Sequence, residues 1–481
     1  MGGPVTGDVD GPVPNHLADL ERLIAGLEGD HVVDAVGKLL GYLHRRKQEF
    51  DAALGDPDAP AAADAVEKAL RGFLNDAVGL ETFEAADLPA LRAIARAGGT
   101  GQAEALIASR TIASVLDDRF GAHFCDVYRQ RGGRVTLVPG THFPVAQPIQ
   151  GGLSRSGMTT NPDKVAYLPW ETRHLRIVPE AYLPFRLELD WALDGVLGAL
   201  SQGIVMAIAL PNRNADEDFI WDEEERDGKR VFFRVRPRDV PRQAELVRKL
   251  VERADAEGAQ VLVLPELTVP GAVVAGVESW LSTTARSLRL VVAGTEHVEE
   301  GGRRLNRCTI LAPGTSGSRV LLEKMVPAEI DQSVEDLRGQ ERGATIHMSK
   351  YWSLATLVCR DFLERDLVHR LAAAGLRLAL VPAMTAKTDV FATRALELVT
   401  DAQAVVGVAN VPVGKHPESR ALLAVPFREV VGSTDECQEG PLIPGPLIHV
   451  PRDIAASTAG ILVCRVLWGK PPPHVGWLTV S

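Results

Sequence analysis

The sequence predicts an α/β protein preceded by a mostly helical N-terminal domain, and three changes in texture along the chain support this. Residues 1–131 are rich in Ala, Leu and acidic side chains, with apolar positions recurring every three or four residues. Residues 132–200 contain many prolines, glycines and short β-rich pieces, which indicates a mixed connecting region. Residues 201–481 alternate unbroken apolar runs with helical patterns, as expected for a sheet covered on both faces.

Four amphipathic segments account for the helical prediction, at 16–30, 31–50, 63–80 and 87–99. The glycine-rich GGTGQ at 98–102 resembles a phosphate loop only superficially, because no Gly-Lys-Ser/Thr follows it. A connection between two helices explains it better.

The C-terminal region begins with the run GIVMAIAL at 203–210, which predicts a buried strand. A helix is predicted over 240–259, and AQVLVLP at 259–265 predicts a second strand. The acidic segment between the first strand and that helix contains an RDGK turn and predicts a protruding, solvated hairpin. Six later apolar runs predict strands, with helices between the last of them: LRLVVAG, RCTILAPG, RVLLEKMV, SLATLVC, LRLALVPA and AVVGVANVP.

Composition limits the class of protein. With 481 residues, of which 46% are hydrophobic and 24% charged, the chain is globular and long enough for two or three domains. The net charge of −11 makes nucleic acid an unlikely main partner, since phosphate binding needs a clustered basic surface. We found no apolar run of membrane-spanning length and no signal-like N-terminus, so the sequence predicts a cytoplasmic protein without a membrane anchor.

The cysteines follow no CxxC spacing, so the sequence suggests neither a zinc site nor a disulfide framework, and no metal or cofactor is expected. The five are Cys125, Cys308, Cys359, Cys437 and Cys464.

Cys359 stands at a corner of the predicted fold, in the stretch ATLVCRDFLE. A β-branched apolar run, residues 355–358, ends at this cysteine, and Arg360 and Asp361 open a helical segment. A cysteine in this place is either a small buried hydrophobe or a nucleophile at a strand-to-helix turn, where backbone N–H groups favour a thiolate and hold an oxyanion. The second interpretation needs a base and a cation elsewhere in the chain.

Two other strand ends supply these groups. Glu266 directly follows VLVLP, and Lys324 ends the apolar run VLLEK. Sites in α/β folds lie at the carboxyl edge of the sheet, so both side chains are candidates, although each taken singly also fits a solvated surface position. Histidine is the usual base for a cysteine, but His369 lies within a helix and His297 follows a strand into a Glu-rich turn. The sequence nominates no histidine.

The order Glu, Lys, Cys in these settings resembles the nitrilase superfamily of carbon–nitrogen hydrolases. PELTVP is similar to its glutamate motif, LEKMVP to its lysine strand, and LVCRDFLERDLVHRLAAAGLRLALVPA to its cysteine strand, helix and next strand. VVGVANVP, ending in Ala409 and Asn410, is similar to the following strand. The resemblance covers residues 203–466 and implies an α-β-β-α sandwich, with the first 200 residues outside it.

By this resemblance, Glu266 acts as general base and takes the thiol proton. Lys324 stabilises the anionic tetrahedral intermediate and helps to hold Cys359 as a thiolate, and the backbone N–H of Arg360 is an oxyanion donor. Cys359 attacks an amide or nitrile carbon and is released by water through a thioester. The Arg360 side chain departs from the family pattern and is suited to an anionic substrate group.

The family often has a second glutamate in the loop after the lysine. Glu329, Glu335 and Glu341 are all present in that loop, and the spacing to the glycines that follow favours Glu335.

The resemblance predicts a hydrolase that cleaves a non-peptide carbon–nitrogen bond, and it predicts a homo-oligomer, because such sheets usually pair in dimers. The alternative is a nitrilase-like binding or assembly scaffold with an idle site. A third hypothesis makes residues 1–200 a regulatory region that senses a protein partner or a small signal.

Overall fold

The computed structural model describes two compact units. It describes residues 15–76, 80–146, 168, 170–178, 185–200, 203–313, 319–330, 332–414, 420–426, 431–432, 438–439, 447–449, 459–467 and 470–480. Cys437 lies outside these ranges. The first unit comprises residues 1–127, 139–144 and 166–180, and the second comprises residues 128–138, 145–165 and 181–481.

The N-terminal part of the chain is helical over its described residues. Asn15 caps the first helix by accepting a hydrogen bond from the N–H of Ala18 at 3.0 Å. The segment predicted as one helix over 31–50 is two helices. The helices are α1 (His16–Ala25), α2 (Val32–His44), α3 (Lys47–Leu54), α4 (Ala59–Asp76), α5 (Leu88–Ala97), α6 (Gln102–Phe120) and α7 (Phe124–Arg131).

The β-strands of the described residues all follow α7, and helices α8–α13 lie between them. The first set is β1 (Val135–Thr136), β2 (His142–Pro144), β3 (Leu175–Ile177), β4 (Arg186–Asp190), α8 (Asp194–Gly198), β5 (Gly203–Leu210), α9 (Ala215–Asp218), β6 (Phe219–Arg226), β7 (Lys229–Pro237), α10 (Val240–Ala256), β8 (Val261–Val263), α11 (Gly271–Thr283), β9 (Leu290–Glu300) and β10 (Arg303–Leu311). The second set is β11 (Arg319–Glu323), β12 (Glu329–Ile330), β13 (Ser333–Glu335), β14 (Gly343–Met348), β15 (Ser353–Thr356), α12 (Arg365–Ala373), β16 (Leu378–Met384), α13 (Asp389–Ala402), β17 (Val405–Val411), β18 (Ala421–Ala424), β19 (Val431–Gly432), β20 (Gln438–Glu439), β21 (Leu447–His449), β22 (Ala459–Leu467) and β23 (Lys470–Val480).

An eight-stranded sheet of the second unit has the strand order β11-β10-β9-β8-β5-β22-β23-β19. Alternate residues of its central strands face opposite ways. Ala207 and Ala209 of β5 and Leu262 of β8 share a buried cluster with Val247 and Leu250 of α10, and residues of α11 complete that cluster. Helices α10 and α11 therefore cover one face of this sheet.

A nine-stranded sheet has the order β1-β4-β14-β15-β16-β17-β18-β21-β20. Its strand β17 faces β5 of the other sheet, since a Cβ on Gly407 would lie 3.0 Å from Sδ of Met206. Helices α12 and α13 contact each other, and α13 contacts β17 and β18. The two sheets thus pack face to face. Strands β1 and β4, from the predicted connecting region, belong to the nine-stranded sheet.

The predicted solvated hairpin is a hairpin, but its base is not solvated. β6 and β7 turn at residues 226–229, as the RDGK motif predicts. They join β12 and β13 in a four-stranded sheet, in which β13 pairs parallel to β7. Phe219, Phe232 and Val235 are buried in one apolar cluster, so burial of this apolar base overturns the prediction of a solvated insertion.

No helix in the described part of the chain has the length and apolar character to cross a membrane.

Gly294 in β9 allows the strand to approach the loop that follows β8. Its φ is +64°, and an added Cβ would lie 2.2 Å from the carbonyl oxygen of Pro265, the residue before Glu266. Any side chain here must displace that backbone as well as adopt a left-handed conformation.

We predict that Gly294→Ala lowers the free energy of unfolding by about 2–4 kcal/mol, from overpacking and left-handed strain together. The matched control is Gly276→Ala in α11, where an added Cβ meets no atom within 4 Å. The control should be neutral or stabilising by about 0.5–1 kcal/mol, as for any exposed helical glycine. Urea unfolding measures both, and equal values for the two variants would contradict the close approach.

Candidate active site

The three residues that the sequence places at strand ends lie together in one buried cluster. Glu266 follows β8, Lys324 follows β11 and Cys359 follows β15. Their exposed fractions are 2%, 1% and 5%. Ionisable side chains this deeply buried need partners, because isolated burial of a charge is very costly.

The Lys324 ammonium lies between two carboxylates. Its Nζ donates to Oε1 of Glu266 at 2.7 Å and to Oε2 of Glu335 at 2.6 Å. Burial alone would lower the pKa of Lys324, but the charges of Glu266 and Glu335, with a smaller effect of Cys359, hold it well above its usual value. Lys324 is therefore a fixed positive charge.

Of the three glutamates considered in the segment after Lys324, Glu335 is the one that belongs to this cluster. Besides Lys324, its Oε2 accepts from the N–H of Ala328 at 2.8 Å, and its Oε1 accepts from Asn306 and His297. Burial would raise the pKa of Glu335, but Lys324 and then His297 hold it below its usual range. Glu335 is thus an ionised carboxylate. Glu329, with 61% of its side chain exposed, and Glu341 are both exposed.

Asn306 in β10 bridges the two glutamates, and the sequence analysis missed it. Its Nδ2 donates to Oε1 of Glu266 at 2.9 Å and to Oε1 of Glu335 at 2.8 Å. Its backbone carbonyl also accepts from the N–H of Lys324 at 2.9 Å. The signal in the sequence was a carboxamide two residues before the apolar run CTIL of a predicted strand, which is weak without the tertiary fold.

His297 was also missed, because the sequence interpretation placed it in a turn after a strand. It lies inside β9, which runs on to Glu300. Its Nε2 is 2.9 Å from Oε1 of Glu335, and its side chain is 1% exposed. Because β9 is longer than the sequence predicts, His297 is part of the strand, and its ring reaches Glu335.

Cys359 opens a short 3₁₀ turn over Cys359–Leu363 and has a φ of +49°. Left-handed backbone is costly for a residue with a Cβ and occurs preferentially at functional sites. The thiol donates to the carbonyl of Met384, with the sulfur 3.8 Å from that oxygen. Asn410 fixes Thr385, the residue after Met384. Its Oδ1 accepts from the N–H of Thr385, and its Nδ2 donates to the carbonyl oxygen of Thr385.

Burial and the charges around the thiol oppose the thiolate that the sequence analysis expects. Burial first, and then the charge of Glu266, raise the pKa of Cys359 well above its usual value, while Lys324 lowers it by less. The two carboxylates already neutralise Lys324, so its charge does not hold the sulfur as an anion. The direction of this shift favours a thiol that keeps its proton in the resting site.

Asp361 connects the cysteine turn to the lysine strand. Its carboxylate accepts from the N–H of Val326 at 2.8 Å and from the N–H of Met325 at 3.0 Å. Burial raises the pKa of Asp361 to about 7, although Lys324 opposes the shift. Arg360 lies between Cys359 and Asp361 in the chain. Its side chain is 43% exposed, and its Nη1 donates to the carbonyl oxygen of Pro327 at 3.2 Å.

Among the described residues, no three or more His, Cys, Asp or Glu side chains form a group that could hold a metal ion.

Comparison with known proteins gave matches among solved structures. No family model matches the chain. No curated protein matches it either. An amidase from Nesterenkonia sp. is 20% identical over 53% of this chain and 94% of its own, with a TM-score of 0.33.

Two variants of that amidase match similarly. A cysteine-to-alanine mutant, described as belonging to the nitrilase superfamily, is 19% identical over 53% of this chain and 93% of its own, with a TM-score of 0.33. A glutamate-to-glutamine mutant showing Michael addition of acrylamide at the active-site cysteine is 20% identical over 53% and 96%, also with a TM-score of 0.33. These neighbours come from the superfamily that the motifs resemble, over part of the chain. A TM-score this low does not establish a shared activity, so the function proposed below depends on contacts within this chain.

We predict that Lys324→Met destabilises the protein by about 3–5 kcal/mol at pH 7, because it leaves two buried carboxylates without their cation. Adding Glu335→Gln should recover part of this loss, since one of the two charges is then removed. Thermal and urea unfolding of the two variants and the parent measure the effect. A loss below about 1 kcal/mol for Lys324→Met would contradict a buried ionic cluster.

Asp361 predicts a specific pH dependence of stability. Its pKa is about 7 in the folded protein and about 3.9 when unfolded. Between these values the folded state holds a proton that the unfolded state releases, so this contribution to stability is complete below pH 4 and is lost as the pH rises to 7.

In Asp361→Asn this titration is absent. The unfolding free energy of wild type minus that of the variant should therefore fall from pH 4 to pH 7, by at most ~1.4 kcal/mol per pH unit. Denaturant unfolding at intervals of half a pH unit measures the difference. Parallel curves for the two proteins would show that Asp361 does not titrate in this window.

Proposed function

We propose that this protein is a hydrolase of non-peptide carbon–nitrogen bonds, with Cys359 as nucleophile and an amide-type substrate. The observation that supports it is Lys324 bonded to Glu266 and Glu335 beside a strained, buried cysteine. Structural ion pairs do not need a nucleophile at their centre, whereas acyl transfer needs a nucleophile, a base and a cation together.

In the first step Glu266 takes the thiol proton while the sulfur of Cys359 attacks the carbonyl carbon. The carbonyl π electrons move to oxygen, and the tetrahedral oxyanion is stabilised by the Lys324 ammonium. The N–H of Arg360 is a second donor. The first hydrogen bond of the 3₁₀ turn runs from Asp361 N–H to Val358 C=O, so the N–H of Arg360 precedes the bonded turns of that helix.

In the second step the carbon–nitrogen bond breaks and the amine leaves with the proton that Glu266 returns. A thioester remains on Cys359. Glu266 then takes a proton from a water molecule while the water oxygen attacks the thioester carbon. The sulfur leaves, is reprotonated by Glu266, and the carboxylic acid is released. Lys324 holds each oxyanion, and its raised pKa supports a role as a fixed charge in preference to a proton donor.

A neutral resting thiol agrees with this sequence of proton transfers. Glu266 lies against both the thiol and Lys324, so deprotonation occurs together with attack. Glu335, which stays ionised, balances the charge of Lys324 when Glu266 becomes neutral.

The alternative, a binding or assembly scaffold with an idle site, is favoured by one observation: only 5% of Cys359 is exposed. Regulation through residues 1–200 and a homo-oligomeric state both remain predictions. Deleting residues 1–200 would remove β1 and β4 from the nine-stranded sheet, so tests of regulation should use the full chain with added partners.

The test is ammonia release from a panel of primary amides and nitriles. Wild type should turn over at least one amide, and Cys359→Ala should lose at least ~10³-fold in kcat, because the thioester cannot form. The matched control is Cys464→Ala, a buried cysteine of β22, which should stay within a few-fold of wild type.

Mass spectrometry of a quenched reaction should show the acyl group on Cys359. Equal hydrolysis by wild type and Cys359→Ala would reject the proposed mechanism. No turnover of any compound, with both proteins alike in oligomeric state and partner binding, would favour the scaffold.

A further inference from the structure

His297 is a buried histidine of the site that the proposed reaction does not use. Its ring packs against Phe233, with centroids 4.6 Å apart, and lies within hydrogen-bond distance of Glu335. The ring is thus held between the hairpin strand β7 and the catalytic carboxylates.

One backbone contact determines which ring nitrogen holds the proton. The N–H of Val235 donates to Nδ1 of His297 at 3.1 Å. Nδ1 must then be the acceptor nitrogen, so a neutral ring has its proton on Nε2. That N–H donates to Oε1 of Glu335 at 2.9 Å.

The Val235 amide reaches the ring because β7 is irregular at this point. The pairing of β6 with β7 shifts register between Ile220 and Asp222. Arg234, directly before Val235, has a φ of +61°. Its guanidinium pairs with Glu299, two residues beyond His297 on β9. A bulge of this kind turns a backbone group away from the sheet ladder and re-aims it.

Glu335 depends on this donor for a complete set of hydrogen bonds. Its Oε2 accepts from Lys324 and the N–H of Ala328, and its Oε1 accepts from Asn306 and His297. A carboxylate has about four acceptor positions, so this set fixes its orientation. Without His297, Oε1 keeps only Asn306, which also serves Glu266.

We propose that His297 is a positioning residue: its Nε2–H, locked by the Val235 amide at Nδ1, holds Glu335 in the orientation in which it directs Lys324 toward Cys359. This inference rests on the proposed hydrolase. It also gives the β6–β7 hairpin a part in the chemistry, because the hairpin supplies the amide that selects the tautomer.

Two substitutions separate the two hydrogen bonds of the ring. His297→Gln can place an amide N–H near the position of Nε2 and keep the donor to Glu335, but it loses the acceptor for Val235. His297→Asn can keep an acceptor near Nδ1 and loses the donor. The matched control is His369→Gln on the exposed side of α12, and urea unfolding checks that all variants fold.

Three measurements test the proposal. Long-range ¹H–¹⁵N spectra of histidine-labelled wild type, assigned by difference from His297→Gln, should show the Nε2–H tautomer for His297. His297→Asn should lower kcat about 10- to 100-fold, the effect of losing a hydrogen bond to a charged group, with KM nearly unchanged. His369→Gln should stay within a few-fold of wild type, and His297→Gln, which keeps the donor to Glu335, should retain more activity than His297→Asn. The rate of Cys359 alkylation by iodoacetamide, measured by mass spectrometry, should fall more in His297→Asn than in His297→Gln and should not change in His369→Gln.

The Nδ1–H tautomer, or equal effects of the Asn and Gln variants on both kcat and alkylation, would overturn the proposal. The tautomer and the alkylation rates do not depend on a substrate. If the tautomer and the alkylation rates are as expected but no compound is hydrolysed, His297 positions a reactive cysteine site. Amide hydrolysis is then rejected as the function of that site.

Discussion

The ionic contact of Lys324 with Glu266 and Glu335 is the interaction on which the site depends. A buried ammonium between two carboxylates costs desolvation free energy and is maintained only if every charge is also hydrogen-bonded. Asn306, His297 and the N–H of Ala328 supply the additional donors. The side chains of the cluster come from five strands or the loops directly after them, so the cluster exists only when β8, β9, β10, β11 and β13 are all in register.

Three residues with left-handed backbone lie close to this cluster or to His297. Leu267, directly after Glu266, has a φ of +58°, and Cys359 and Arg234 have φ values of +49° and +61°. Each such residue costs on the order of 1–3 kcal/mol unless its surroundings hold it in place. The left-handed backbone at Leu267 and Cys359 orients the proposed base and the proposed nucleophile, and that at Arg234 orients an amide toward His297. The close approach of Gly294 to Pro265 also constrains the loop that holds Glu266 and Leu267.

The charges of the cluster favour attack coupled to proton transfer over a preformed thiolate. A cysteine beside an unpaired cation has a low pKa, but Lys324 is already balanced by two carboxylates. In the proposed reaction the sulfur therefore keeps its proton until Glu266 accepts it. Glu335 retains its charge throughout the proposed reaction, so the site never holds Lys324 without a counter-ion.

By itself the sequence determined the strand ends at Glu266, Lys324 and Cys359, since unbroken apolar runs and the polar residues that end them are local features. Its preference for Glu335 over Glu329 and Glu341 came from spacing, and the tertiary structure alone places Glu335 against Lys324. Asn306, His297 and the buried base of the β6–β7 hairpin were not legible in the sequence. Their roles depend on pairings between distant strands, because hydrogen bonds such as Val235 to His297 join residues that have no local pattern in common.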